Sequence, residues 1–160
     1  MPFLCALCRG LLSLSLGAYF GAVTMSAIAA MTTFQILDPD RETAGRVAGT
    51  MFARLDILTT ILIVVAAISL AGALALRAYP RIRALSLGAG VILLTAAWGL
   101  SVFWINPRIV GMQRAGLTQE PAFHRLHKTS ERSLGMQGLF AGVLAITASA
   151  GGRATNRESE

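Results

Sequence analysis

Long apolar runs dominate the chain and are separated by short polar segments. Four stretches carry no charged residue, namely residues 10–37, 57–76, 84–107 and 133–152. Each reaches or approaches the roughly 20 residues that an α-helix needs to cross the hydrocarbon core of a bilayer. None has the alternating pattern of a membrane β-strand. The pattern predicts an all-α integral membrane four-helix bundle with up-down-up-down topology, in a single domain over residues 1–150.

Turn and capping residues set the expected limits of the first two helices. The first span is predicted at about residues 11–37, and Asp38-Pro39 is a turn signal after it. Asp40 is placed to cap the second helix, which is predicted to run to about residue 76. The first part of that helix, "RETAGRVAGTMFARLDI", is amphipathic. We therefore expect the second helix to extend beyond the bilayer.

The second half of the chain follows the same logic. The third span is predicted at about residues 85–105, with Trp98 and Trp104 in an interfacial aromatic belt. A polar segment follows, and Pro121 is predicted to begin the last helix. Residues 151–160 are predicted to form a flexible polar tail.

Composition excludes an ordinary soluble domain. The 160 residues are 54% hydrophobic and 14% charged, against about 25% charged in soluble domains, and the mean hydropathy is +0.63. The net charge of +6 is spread over every polar segment, without the basic stripe that nucleic-acid binding requires. The sequence predicts the lipid bilayer as a partner and no nucleic acid.

Location and orientation are predicted from the cations and from the first span. The short segment "RAYPRIR" favours cytoplasmic termini, although eight cations fall on the opposite side in longer segments. The expected location is a bacterial inner membrane. A cleaved signal peptide ending near "SAIAAM" is the alternative for the first span. The uncharged run before that site is longer than an ordinary signal-peptide core, which disfavours cleavage.

Small residues recur at a spacing of four in three of the helices. Such pairs allow the close approach of another membrane helix. The predicted helix-packing residues are Gly17, Gly21, Gly45, Gly49, Gly138 and Gly142. Because three ridges exceed what one small bundle needs, we expect at least one to face a membrane-protein partner or a second copy of the chain.

Polar side chains concentrate in the stretch "PAFHRLHKTSERSLGMQ", which contains both histidines. His124, His127 and Glu131 share one face of the last helix, and Asp56 is the last charge before the apolar run of the second helix. We expect Asp56 to pair with Arg108, Lys128 or His127. The candidate polar cluster at the ends of helices two, three and four comprises Arg46, Asp56, Asn106, Arg108, His124, His127, Ser130 and Glu131.

Three segments carry a resemblance to a known family. "ETAGRVAGTMFARLD", "WINPRIVGM" and "FHRLHKTS" resemble the signature segments of the transmembrane-protein-205-like family, which is distantly similar to copper-resistance D-type membrane proteins. The corresponding positions are Gly45, Gly49 and Phe52; Asn106, Pro107 and Arg108; and Phe123, His127 and Ser130. The resemblance implies a four-helix membrane domain without an assigned reaction. The chain departs from the family at Lys128 and Leu134, where glycine and asparagine are common.

Three functional interpretations remain open, and none is enzymatic, because the sequence contains no Ser/His/Asp set, phosphate loop or plausible carboxylate pair. In the first, the polar cluster locks the ends of the bundle together. In the second, the protein is an accessory subunit that docks on a larger membrane complex or self-associates through its small-residue faces. In the third, the cluster binds or transports a small solute, an anion or a metal.

No cofactor is expected. One alternative is a transition metal at His124, His127 and Glu131, which is disfavoured because the neighbouring cations would repel it. The other is haem, which is disfavoured because both histidines lie on one helix. Cys5 and Cys8 are interpreted as small apolar residues on a helical face rather than as metal ligands.

Overall fold

The computed structural model describes residues 1–150 as helices joined by short turns. The elements are α1 (Pro2–Ile36), α2 (Arg41–Ala75), α3 (Arg81–Leu100), a π-helical segment (Ser101–Ile105), α4 (Asn106–Arg114) and α5 (Pro121–Ser149). Since α3, the π-helical segment and α4 are continuous, the described chain forms four helical rods. The predicted all-α four-helix bundle is confirmed. The predicted tail, residues 151–160, lies outside the described residues.

Neighbouring rods run in opposite directions. Cys8, near the start of α1, lies beside Gly72, near the end of α2. Tyr19 of α1 contacts Gln137 of α5, and Ser101 contacts Ser133 of α5. Helix α1 packs extensively against α2 and α5, whereas α2 and α3 touch only slightly. Rods α1 and α3 therefore lie at opposite corners of the bundle.

The outer surface of the bundle suits a lipid environment. Three helical stretches are long and apolar enough to cross a membrane, namely Pro2–Ile36, Glu42–Ala75 and Arg81–Arg114. Large apolar side chains point outward along them; Ile68 is 68% exposed and Ile92 is 69% exposed. Exposed apolar surface on this scale marks contact with something other than water. The chain is an integral membrane protein.

Helix α5 differs from these three stretches because its first half is charged. The polar run from His124 to Arg132 occupies its first three turns, and Gln137 interrupts the apolar part. Its predicted span, residues 133–152, also continues outside the described residues. The fourth predicted span is thus present as a helix, but not among those apolar enough by themselves to cross a membrane.

Helix α2 begins as predicted and extends well beyond the length of a membrane span. Asp40 accepts a hydrogen bond from the backbone N–H of Thr43 at 3.0 Å, which confirms the predicted cap. That N–H also holds the pKa of the Asp40 carboxyl below its ordinary value. The 35 residues of the helix correspond to about 52 Å at 1.5 Å per residue, against roughly 30 Å of hydrocarbon.

Helix α1 includes residues ahead of the predicted span, which starts at about residue 11, and Arg9 lies in this first part. The Arg9 guanidinium lies 5.6 Å from the centre of the Tyr79 ring. Tyr79 is buried and donates a hydrogen bond to the Ala148 carbonyl at 3.3 Å. Burial raises the pKa of the Tyr79 hydroxyl. A charge at the start of α1 is thus stabilised by the turn between α2 and α3.

The third rod continues beyond residue 105, the predicted end of the third span, and the π-helical segment ends at that point. Its wider turn is closed by a hydrogen bond from the Asn106 N–H to the Ser101 carbonyl. Pro107 follows and has no N–H to offer the preceding turn, a common cause of a local departure from the α-helix. The helix resumes as α4 and ends at Arg114. Gly116, two residues later, has a φ of 71°, the left-handed conformation favoured just after a helix terminus. The first half of the predicted polar loop is therefore helical.

The bundle interior is built from leucines and small residues. Leu12, Leu16 and Leu87 are fully buried. Trp98 packs against this core and meets Phe103 edge to face, with ring centres 5.7 Å apart. Trp98 is thus partly covered by the bundle, whereas Trp104 is exposed; the aromatic belt stays a prediction. Within residues 1–150, the Trp98 Nε1 atom is the one buried side-chain nitrogen or oxygen without a hydrogen-bond partner.

Candidate functional site

A buried amide joins three rods in the interior. Tyr19 Oη of α1 donates to Gln137 Oε1 of α5 at 2.7 Å. Gln137 Nε2 lies 2.9 Å from Ser101 Oγ, 3.0 Å from Ser133 Oγ and 3.3 Å from the Ala97 carbonyl. The two serine hydroxyls are 3.1 Å apart. We call Tyr19, Ser101, Ser133 and Gln137 the Gln137 network.

The π-helical segment positions one member of this network. Ser101 is the first residue of that segment and is buried. Its hydroxyl also lies 3.1 Å from the carbonyl of Ala97, one turn earlier. Because the wider turn rotates the following residues relative to a regular α-helix, Ser101 faces α5 while Asn106 reaches a different rod.

Asn106 provides the polar contact to α2. Its Nδ2 atom donates to Asp56 Oδ2 at 2.9 Å, and both residues are half-buried. Asp56 stands at the start of the uncharged run of α2, where an ionisable group is unlikely to face lipid. The contact bridges two rods whose helices otherwise touch little.

The arrangement is suited to holding helices together. Water is absent from the hydrocarbon region, so polar groups there must satisfy one another. The amide of Gln137 uses both its oxygen and its nitrogen, and the Asp56 carboxylate accepts from an amide. Apart from Asp56, every side chain in these contacts is neutral in its ordinary state. The described interior therefore offers hydrogen bonds that join the rods.

The predicted polar cluster is divided by the structure. Asp56 and Asn106 are brought together, whereas the predicted pairing of Asp56 with Arg108, Lys128 or His127 is wrong. Arg108 lies over the Trp104 ring instead, 3.8 Å from its centre. The π-helical segment turns the asparagine of "NPR", rather than the arginine, towards α2.

The histidines lie at the exposed start of α5. His127 Nε2 is 3.3 Å from Glu131 Oε1, one turn on, with side chains 45% and 63% exposed. The His127 ring stacks on Phe123 with centres 5.8 Å apart, and His124 meets the same ring edge to face at 6.0 Å. Phe123 is the buried residue of this group. The three aromatic rings cover one side of the helix.

The remaining two members of the predicted cluster lie apart from these contacts. Arg46 is exposed and donates to Thr43 Oγ1 at 3.2 Å on its own helix. Ser130 is half-buried on α5. Among the side chains described in residues 1–150, that of Arg41 excepted, His127 and Glu131 make the single contact within 4 Å between a basic and an acidic side chain.

The predicted glycine ridges fall into two groups. A methyl group added at Gly138 would come within 2.9 Å of Val23 Cγ1, and one at Gly142 within 3.3 Å of Phe20 Cδ2, so both glycines lie against α1. A methyl group at the other four would meet no atom within 4 Å in residues 1–150; these are Gly17, Gly21, Gly45 and Gly49. Two of the six predicted residues therefore pack inside the bundle, and four face away from other elements.

Metal and thiol chemistry receive no support from the described residues. Among residues 1–150, no group of three or more His, Cys, Asp and Glu is placed to hold a metal ion. This applies to the alternative site at His124, His127 and Glu131. Cys5 and Cys8 are free and half-buried, and the Cys5 thiol lies 3.8 Å from the Leu76 carbonyl. The cysteines pack α1 against the end of α2.

Sequence reasoning missed the Gln137 network. Gln137 stands in the middle of an apolar run, which marks a polar side chain that needs an interior partner. Ser133 lies one turn before it and shares its face. The pair could therefore have been found from spacing. Tyr19 and Ser101 could not, because only packing places them opposite Gln137.

Comparison with known proteins identifies a family and no characterised relative. No curated protein and no solved structure matches the chain. The comparisons give no support for the transmembrane-protein-205-like name or the copper-resistance D-type similarity, which stay predictions. One family model, described as a domain of unknown function (DUF4149), matches residues 14–118, from α1 to just beyond α4. Since this match covers more than half of the chain, the protein belongs to the DUF4149 family.

Proposed function

We propose that the protein is a non-enzymatic accessory subunit of the membrane, which docks on a larger membrane complex or self-associates through the small-residue face of α1. The observation that carries the proposal is the outward position of Gly17 and Gly21. Neither has a neighbour within 4 Å of an added methyl group in residues 1–150. Gly10 lies seven residues before Gly17, on the same side of the helix, and is equally open.

An outward glycine face suits another helix. Glycines one turn apart let two helix backbones approach closely, and such contacts drive association in lipid, where apolar burial contributes little. Gly138 and Gly142 already show this behaviour inside the bundle, against α1. The opposite side of α1 therefore offers a second helix the same kind of surface.

The interior supports a rigid body rather than a conduit. The Gln137 network joins α1, the π-helical segment and α5. No member of that network lines the open groove between α1 and α2 or the one between α4 and α5. A bundle held by satisfied hydrogen bonds presents a fixed outer surface, which suits a subunit that positions a partner.

The location belongs to the same proposal. We place the protein in a bacterial inner membrane with its termini in the cytoplasm. The alternating rods put the arginine-bearing turn between α2 and α3 on the side where α1 begins, and short arginine-rich connections favour the cytoplasmic side.

The first test is the native mass of the protein extracted gently from its own membranes. We expect a particle well above one chain, with a defined co-purifying protein or a second copy. Gly17→Leu combined with Gly21→Leu should release a folded single chain. Gly88→Leu is the matched control, because Gly88 of α3 is equally open but lies on a different rod. A wild-type particle of one chain, or equal behaviour of the variant and the control, would refute the proposal.

The alternative function, binding or transport of a small solute or ion, is favoured by Asp56. Its carboxylate is half-buried in a membrane-spanning helix and has the Asn106 amide as a partner, and such a residue is a functional candidate by default. Reconstituted vesicles test this alternative. Cation or proton flux that is lost in Asp56→Asn, with the native mass unchanged, would favour it over the accessory role.

A further inference from the structure

An open groove between α1 and α2 combines an apolar lining with a single cation. Its volume is about 650 Å³, within the range of small-molecule sites. Ala22 and Ser26 contribute the small side chains of α1, one turn apart, while Met25 and Leu58 line it with side chains that are 64% and 45% exposed. Arg54 of α2 is the charged residue of the lining.

The charge pattern of α2 indicates that Arg54 lies at the level of the membrane interface. The uncharged run of α2 begins at Ile57, three residues further along, which is about 4.5 Å along a helix axis. Leu58 continues the groove towards the hydrocarbon. The α2 lining runs from Val47, which lies about 10 Å before Arg54 along the helix, to Leu58, one turn after it. The groove therefore spans the level of lipid headgroups and reaches the first turn towards the acyl chains.

The charge of Arg54 has no partner within the described chain. Among the described side chains of residues 1–150, that of Arg41 excepted, the single contact within 4 Å between a basic and an acidic group joins His127 and Glu131. Asp56 is two residues away, but residues at that spacing do not face each other on a helix, and its carboxylate accepts from Asn106. The exposed Arg54 guanidinium beside an apolar surface is therefore available to bind an anion from outside the chain.

We propose that this groove binds an anionic glycerophospholipid. The Arg54 guanidinium donates to the phosphate, for which its planar fork is well shaped. One acyl chain lies in the groove against Met25 and Leu58. Methionine is flexible enough to fit an irregular apolar chain. Met25 lies one turn beyond Gly21 on the same side of α1, so the lipid site borders the proposed subunit contact.

The test is native mass spectrometry of the full chain in detergent, titrated with phosphatidylglycerol or phosphatidylcholine. Arg54→Ala should weaken phosphatidylglycerol binding roughly tenfold, the scale of one charge-assisted contact. Arg46→Ala, two turns earlier on the same helix and outside the groove, is the matched control and should leave binding within about twofold. Ser26→Leu should weaken both lipids, because it fills the apolar part of the groove.

The remaining arms separate this site from other occupants. Millimolar inorganic phosphate should not displace the lipid, since it lacks the acyl chain; displacement would mean a free-anion site and overturn the proposal. Equal losses in Arg54→Ala and Arg46→Ala would mean general electrostatic attraction. Unchanged binding in Ser26→Leu would place the lipid elsewhere. Each variant is first checked for wild-type elution, and Arg54→Lys should retain part of the affinity because it keeps the charge.

Discussion

The two halves of α5 carry polar side chains with different structural consequences. In the first half, His127 and Glu131 are 45% and 63% exposed and pair along one helix. In the second half, Gln137 is 4% exposed and contacts two other rods. When one partner of a buried hydrogen bond is removed, the other partner is left unsatisfied, because no water reaches it. When one partner of an exposed pair is removed, water takes its place. The charged residues of α5 therefore lie at its solvated end, whereas the neutral amide of Gln137 holds the helix to the other rods.

The largest expected effect is at Gln137. Gln137→Leu should lower the free energy of unfolding by about 1–3 kcal/mol, because the Tyr19 hydroxyl loses its acceptor in the interior. Thermal unfolding in detergent measures this. Gln113→Leu, an exposed position on α4, is the control for the substitution.

The double variant sharpens the comparison. Tyr19→Phe with Gln137→Leu should lose less stability than the sum of the two single variants, because removing both partners leaves neither unsatisfied. Simple additivity would contradict a direct contact between the two side chains.

The bridge between Asp56 and Asn106 should rank second. A double-mutant cycle with Asp56→Ala and Asn106→Ala should give a coupling of roughly 0.5–1.5 kcal/mol, the range of hydrogen bonds between membrane helices. The same cycle with Arg108→Ala should give a coupling near zero, since Arg108 lies over Trp104. A larger coupling to Arg108 would restore the pairing predicted from the sequence.

A smaller effect is expected at His127. His127→Ala should cost about 0.3–0.5 kcal/mol, the scale of an exposed pair one turn apart on a helix. A loss as large as that of Gln137→Leu would mean that the exposed half of α5 is also structural, and would remove the contrast.

The smallest effect concerns Asp40, at the solvated end of α2. The Thr43 N–H holds the pKa of this carboxyl below its ordinary value. The stability that it contributes is therefore present above the unfolded pKa and is lost as pH falls through the folded one, below about pH 4. Asp40→Asn keeps an acceptor for Thr43 but does not titrate. The unfolding temperature of this variant should fall less than that of the wild type between about pH 5 and about pH 3, the range that spans the carboxyl titration. Matched thermal scans at the two pH values measure this. Identical profiles for the two proteins would contradict the cap.

The glycines show how far spacing alone can be trusted. All six predicted helix-packing glycines have the same spacing, yet Gly138 lies against Val23 while Gly17 has no neighbour in the described chain. A spacing of four residues fixes which residues share a face of a helix. It does not fix which face meets another helix, because that depends on how the rods are arranged.

The sequence by itself determined the class and the helices. Long uncharged runs require helices in lipid because the backbone must satisfy its own hydrogen bonds, and Asp40 and Pro121 set helix starts from local chemistry alone. Only the tertiary structure decided the contacts between rods. It turned Asn106 rather than Arg108 towards Asp56 through the π-helical segment, and it placed Tyr19 against Gln137 across 118 residues of sequence. Local signals act within a few residues, whereas a partner on another rod is chosen by packing.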